Sequence, residues 1–160
     1  MFITIVFILM APVLYSYVSY LQIRVSNEHD AEFSTRLEST VLEGQPFKMT
    51  DVTMFEWDKM YAFGPYTPKE YVFENVGKKW TTVDSFNEYL ISEHIGLGSD
   101  PLIHESNNQL VFIKGDDVIL DVIFTRDQVD LTEIKSVITA DDSAFQIKKP
   151  SVILHTPASK

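Results

Sequence analysis

The 160-residue chain has no cysteine, only six glycines and, from Met1 to Ile23, no charged side chain. Without cysteine there is no thiolate nucleophile, no Cys-based zinc site, no disulfide and no cysteine to carry a lipid. None of the patterns G-x-x-x-x-G-K-[ST], G-x-G-x-x-G, G-x-S-x-G or H-E-x-x-H occurs. Phosphate-cradling loops, a nucleophile elbow and a helical zinc face therefore have no sequence support. Positive charge is scarce as well, with 13 Lys and Arg against 23 Asp and Glu and a formal charge of −10. Phosphate binding needs concentrated positive charge, so nucleic acid is not an expected partner. No cofactor is expected either.

What is present begins with the uncharged opening, in which 18 of 23 residues are hydrophobic. As a helix, Phe2–Ile23 would run roughly 33 Å, against about 30 Å for a bilayer core. Tyr15, Tyr17 and Tyr20 crowd its end like an aromatic belt, and Pro12 interrupts its middle. The expectation is a transmembrane anchor over 1–24, with Phe2, Pro12, Tyr20 and Ile23 marking the span and the membrane as its partner. The tract is long for a cleaved signal peptide and lacks a small-x-small end. Arg24 alone follows it, and by the charge rule this single residue would put the rest in the cytoplasm.

Beyond the opening, residues 25–46 read as a stalk or first helix. Phe33, Leu37 and Val41 recur every four residues, and Gly44-Gln45-Pro46 ends the run. Residues 47–154 read as an α+β globular domain and 155–160 as a loose tail. A strand is expected near Trp57–Phe63 and stops at Gly64-Pro65. Thr67-Pro68-Lys69-Glu70 has the form of a capped helix start, and that helix stops at Gly77. A second helix follows to Ile95, capped by Thr82 or Asp84. The clearest strand pair is Gln109–Lys114 with Val118–Phe124, turning at Gly115-Asp116-Asp117. Residues 131–139 are ambiguous, and 145–154 read as one final strand broken at Pro150. The simplest assembly is an antiparallel sheet of about four strands, packed by helices on one face.

Aromatic residues concentrate where chemistry is otherwise sparse, with nine of the 15 beyond the opening lying between Phe47 and Trp80. Most belong in a core. Gly64, Pro65 and Tyr66 differ, because a strand end before a helix start presents free N–H groups. Asp58, Tyr61, Gly64, Pro65 and Tyr66 are therefore the candidate ligand or partner surface, with a protein partner in view. His94 and His104 flank a loop holding Glu93, Asp100 and Glu105 and are weak metal candidates, since neither has the i, i+4 spacing of a preformed metal face. Asp116/Asp117 and Asp141/Asp142 fall in expected turns, where Asp satisfies backbone N–H groups. No catalytic residue stands out.

The run Phe55-Glu-Trp-Asp-Lys-Met-Tyr-Ala-Phe-Gly-Pro-Tyr-Thr67, with Gly77-Lys-Lys-Trp80 and Leu110-Val-Phe-Ile-Lys114, resembles a group of small uncharacterised bacterial proteins. Those proteins carry an F-x-W-D-K-x-Y-x-F-x-P-Y-T core behind a signal sequence or membrane anchor. The resemblance covers about residues 47–150. It implies a domain displayed outside the cytoplasm and no particular catalytic residues. The function expected is thus a single-pass, membrane-anchored protein with a non-enzymatic extracytoplasmic binding domain. The alternatives are an accessory subunit of a larger membrane complex and a small metal-dependent hydrolase.

Overall fold

In the computed structural model, residues 2–95, 103–134, 137–148 and 151–157 are described, with side chains from Met10 to Ser92 in the first stretch. The chain divides into two compact units, Met1–Val25 with Lys79–Ser99, and Ser26–Lys78 with Asp100–Lys160.

In the first unit, α1 (Phe2–Ile23) and α5 (Phe86–Ile95) are the helices. Pro12 sits inside α1. Tyr20 is buried, its hydroxyl 2.7 Å from the Asp84 carbonyl oxygen and 3.0 Å from that of Val83. Its ring lies 5.2 Å from Tyr89, and Tyr17 meets Phe86 edge-on at 5.1 Å. Backbone bonds from Val25 to Thr81 and from Thr81 to Ile23, both 2.9 Å, join the end of α1 to the segment that precedes α5. Ser85, rather than Thr82 or Asp84, caps α5, its hydroxyl accepting the Glu88 N–H at 3.2 Å.

The expected anchor is corrected here. Among the described residues, no helix is long and apolar enough to cross a membrane. Of the tyrosines read as an interfacial belt, Tyr17 and Tyr20 meet Phe86, with Tyr20 hydrogen-bonded to backbone, while Tyr15 is exposed. The single-pass topology and the placement of the domain outside a cell membrane lose their support with the anchor. The side chain of Phe2 lies outside the described residues; Ile23 is half-buried and Pro12 exposed.

The second unit carries two antiparallel sheets rather than one. The larger has the order β4-β3-β2-β5, with β2 Lys59–Phe63, β3 Asn107–Lys114, β4 Asp117–Thr125 and β5 Ile138–Thr139. The smaller has the order β1-β6-β7, with β1 Phe47–Lys48, β6 Ala144–Lys148 and β7 Val152–His155. The segment read as one broken strand is therefore a separate antiparallel pair, in which Phe145 faces His155 and Ile147 faces Ile153. The fourth place in the larger sheet goes to the two-residue β5. His155 ends β7, so the supposed tail is structured up to that residue.

Register explains the core. Met60 lies opposite Phe112 and Ala62 opposite Leu110, while Leu120 and Val122 oppose the same two residues from β4. Helix α2 (Asp30–Glu43) lays Phe33, Leu37 and Val41 against this face, with Phe33 edge-on to Phe112 at 5.1 Å. The four-residue spacing is that of one helix face. Gly44, at φ 69°, ends α2 in the left-handed geometry that suits glycine. Phe145 and Ile153 bring the smaller sheet into the same cluster, with Leu131, Ile134 and the short helix α3 (Met49–Val52) beneath it. The free edge of β4 is covered at one point. Asn27, at φ 50°, donates from Nδ2 to the Asp121 carbonyl (2.7 Å) and accepts the Asp121 N–H (3.0 Å).

Candidate functional site

Strand β2 carries the candidate residues, and the structure sends its two ends to different tasks. At the first end, Asp58 donates its N–H to the Ile113 carbonyl (2.7 Å) and accepts the Ala140 N–H on its own carbonyl (3.1 Å). Its Oδ2 accepts the Gly115 N–H at 2.6 Å. Gly115 has φ 57°, the positive value a two-residue hairpin turn demands. Asp58 thus fastens the β3–β4 turn to the start of β2. Glu56 pairs with Lys114 beside it. That hydrogen bond and the lysine charge hold the Glu56 carboxyl below its ordinary value. Lys78 reaches the same turn from the end of α4 (Lys69–Val76), 2.8 Å from Asp117 Oδ1 and 2.8 Å from the Asp116 carbonyl. The Asp116/Asp117 pair therefore anchors a turn.

In the middle, Tyr61 is half-buried and stacks on Phe63, rings nearly parallel at 7° and 6.2 Å apart. Tyr61, Lys59 and Ile113 form one wall of an open groove of about 300 Å³, with Val76, Gly77 and Lys78 across it. The end of α4 thus borders the outer face of the larger sheet. A second open groove of about 430 Å³ has Phe55 and Trp57 at its floor and Glu56, Asp58 and Lys114 at its rim.

At the far end of β2, the chain turns at Gly64–Thr67. The Thr67 hydroxyl donates to the Gly64 carbonyl at 2.7 Å. It is spent on the turn, so Pro68 takes the cap position of α4 without a side-chain bond, and the expected capping box does not form. Gly77, at φ 80°, closes the helix. Tyr66 stands at φ 61° with its side chain directed outward, 61% exposed. Its N–H donates to the Ile103 carbonyl (2.8 Å), and the Ile103 N–H returns to Thr67 (3.1 Å). Its phenol donates to Glu105 Oε2 at 2.6 Å. That hydrogen bond, followed by burial and the Glu105 charge, pushes the Tyr66 phenol above its ordinary value. Pro65 is half-buried between these bonds.

The five candidate residues do not converge. Asp58 and the Gly64–Tyr66 corner sit at opposite ends of a five-residue strand, roughly 17 Å or more apart. The corner is also a poor anion seat, because the Tyr66 N–H is used and the Glu105 carboxylate stands beside it. His104 is exposed, with Nδ1 3.1 Å from Ser106 Oγ, and Ser106 bonds onward to Asn107. The His94 side chain lies outside the described residues. His29 stacks on Phe55 at 5.1 Å, and His155 Nε2 reaches the Asp142 carbonyl at 2.7 Å. Among the described residues, no three His, Asp or Glu side chains are grouped to hold a metal ion.

Sequence reasoning missed a polar node at Asp130. Its Oδ1 accepts the Thr132 N–H (3.0 Å) and hydroxyl (2.6 Å), and Oδ2 lies 3.2 Å from Arg126. Its backbone exchanges bonds with Ser151 and Ile153, tying β7 to the loop after β4. Burial alone would raise the Asp130 carboxyl, but the Thr132 and Arg126 bonds together hold it below its ordinary value. The Asp-x-Thr pattern of a local side-chain turn was the available signal. Glu105 was noticed only as a metal candidate, because nothing local marks it as the partner of Tyr66, 39 residues away.

No family model matches the chain, and neither does any curated protein or any solved structure.

Proposed function

We propose that the chain is a non-enzymatic interaction module that offers the Gly64–Tyr66 corner to a protein partner. Tyr66 carries this reading. A bulky residue in the left-handed region costs about 1–2 kcal/mol, a cost glycine avoids. Strain of this kind, held in place by surrounding bonds, points from geometry toward function. Here the strained residue turns a large aromatic ring outward while backbone and Glu105 bonds fix its position. A rigid, exposed tyrosine is the type of side chain that anchors protein interfaces at low entropy cost.

The charge of −10, with Glu105 at the ring's edge, favours a partner with basic groups around an apolar pocket for the tyrosine. The hydrolase alternative draws no support from His104, whose described neighbour is a serine hydroxyl. The F-x-W-D-K-x-Y-x-F-x-P-Y-T resemblance fits the interaction reading as a marker of the same corner. Its Phe55 and Trp57 pack on Phe112, and its Asp58 holds the hairpin turn. Tyr66 is its one exposed aromatic residue. The test is an amide chemical-shift titration of the full chain with peptides selected on it from a random display library. Shifts should cluster at Gly64–Thr67 and Ile103–Glu105. Binders that map elsewhere and ignore Tyr66→Ala would refute the proposal.

A further inference from the structure

Helix α1 has an apolar face that its own unit leaves about half exposed, Phe86 touching it only at Tyr17. Met10, Leu14, Tyr17 and Leu21 follow one another at spacings of four, three and four, with Val13 and Val18 at their flanks. All six are between 43% and 56% exposed. Tyr20, at the edge of this face, is the residue buried against Tyr89 and Phe86. The four-three-four spacing is that of the seam between two supercoiled helices. No charged residue lies anywhere from Phe2 to Ile23, so a complementary surface must itself be uncharged and apolar.

From this face we infer that two copies of the chain pair through α1, seam to seam about a two-fold axis. Self-complementarity supplies the first reason, since each apolar layer would meet an equivalent layer and no buried charge would need a partner. Area supplies the second. The six side chains expose on the order of 500 Å² between them, and two copies together would bury about 1,000 Å², the threshold for a specific interface. Charge sets the condition under which pairing is seen. All 23 acidic residues lie beyond the helix, so two copies repel through the rest of the chain while attracting through the seam. Salt screens the repulsion and leaves the apolar burial intact, so this pair tightens with salt, unlike one held by ion pairs. The pairing stands apart from the Tyr66 reading, and either can fail without the other.

Sedimentation velocity on the full chain, at rising protein concentration in low and high sodium chloride, tests it. A concentration-dependent dimer that strengthens several-fold in high salt is expected, and Leu14→Asp should return it to monomer with an unchanged thermal melt. Because the natural chain has no cysteine, a single introduced thiol reports one position. Leu14→Cys should cross-link to a dimer with a short bismaleimide, whereas Tyr15→Cys, 77% exposed but off the seam, should not. A monomer at every concentration, or equal cross-linking at both positions, would overturn the inference. So would uptake by phosphatidylcholine vesicles that Leu14→Asp abolishes, since lipid rather than a second copy would then cover the face.

Discussion

The two ends of β2 use polar and aromatic residues in opposite ways. At Asp58, a carboxylate with an exposed side chain is committed to architecture, holding one backbone N–H of a hairpin turn and, through its own backbone, two neighbouring strands. At Tyr66, architecture is bent to display a side chain, with a strained backbone fixed from two sides while the ring stays in solvent. Exposure alone would rank the two residues alike. Bonding separates them: the carboxylate of the first is engaged by the backbone of the turn, while the ring of the second stays in solvent.

The contrast can be broken in order of size. Met60→Ala, in the buried middle of β2, should cost about 2–5 kcal/mol in urea unfolding and loosen both ends together. If one end kept its amide protection while the other lost it, the strand would not be the common support assumed here. Asp130→Ala should cost about 2 kcal/mol at neutral pH by stripping the Thr132 and Arg126 bonds. Because the folded carboxyl titrates below its ordinary value, its contribution is complete above the unfolded value near 4 and is lost as pH falls through the folded one. The difference between natural chain and variant should therefore shrink in acid; a difference that grows would reverse the sign of the shift. Asp58→Ala should cost about 1 kcal/mol by freeing the Gly115 N–H, with peptide binding unchanged. The smallest change in stability belongs to Tyr66→Gly. Relief of about 1 kcal/mol of backbone strain should roughly offset the lost phenol bond and the added chain entropy, so calorimetry should show little shift while binding disappears.

Legibility in the sequence followed how local each cause was. The β3–β4 hairpin could be read because two alternating apolar runs flank a glycine turn, and the ends of α2 and α4 because Gly44 and Gly77 sit where a left-handed residue is needed. The β6–β7 pair was missed because Pro150 was taken as a break within one strand. Strand β5 was missed because two residues carry no period. The opening misled through its lack of charge, whose cause on the described part of α1 includes packing on Phe86 and Tyr89. Tyr66 could be singled out from Gly-Pro-Tyr alone. The role of Asp58 could not, because its partner Gly115 lies 57 residues away.

The measurement that bears most directly on the division of labour along β2 is a paired one: unfolding free energy and affinity for a library-selected peptide, both taken on Asp58→Ala and on Tyr66→Gly. The first variant should lose stability and keep its affinity; the second should keep its stability and lose affinity at least tenfold. If affinity instead tracks stability in both, the corner at Tyr66 is one more piece of scaffolding.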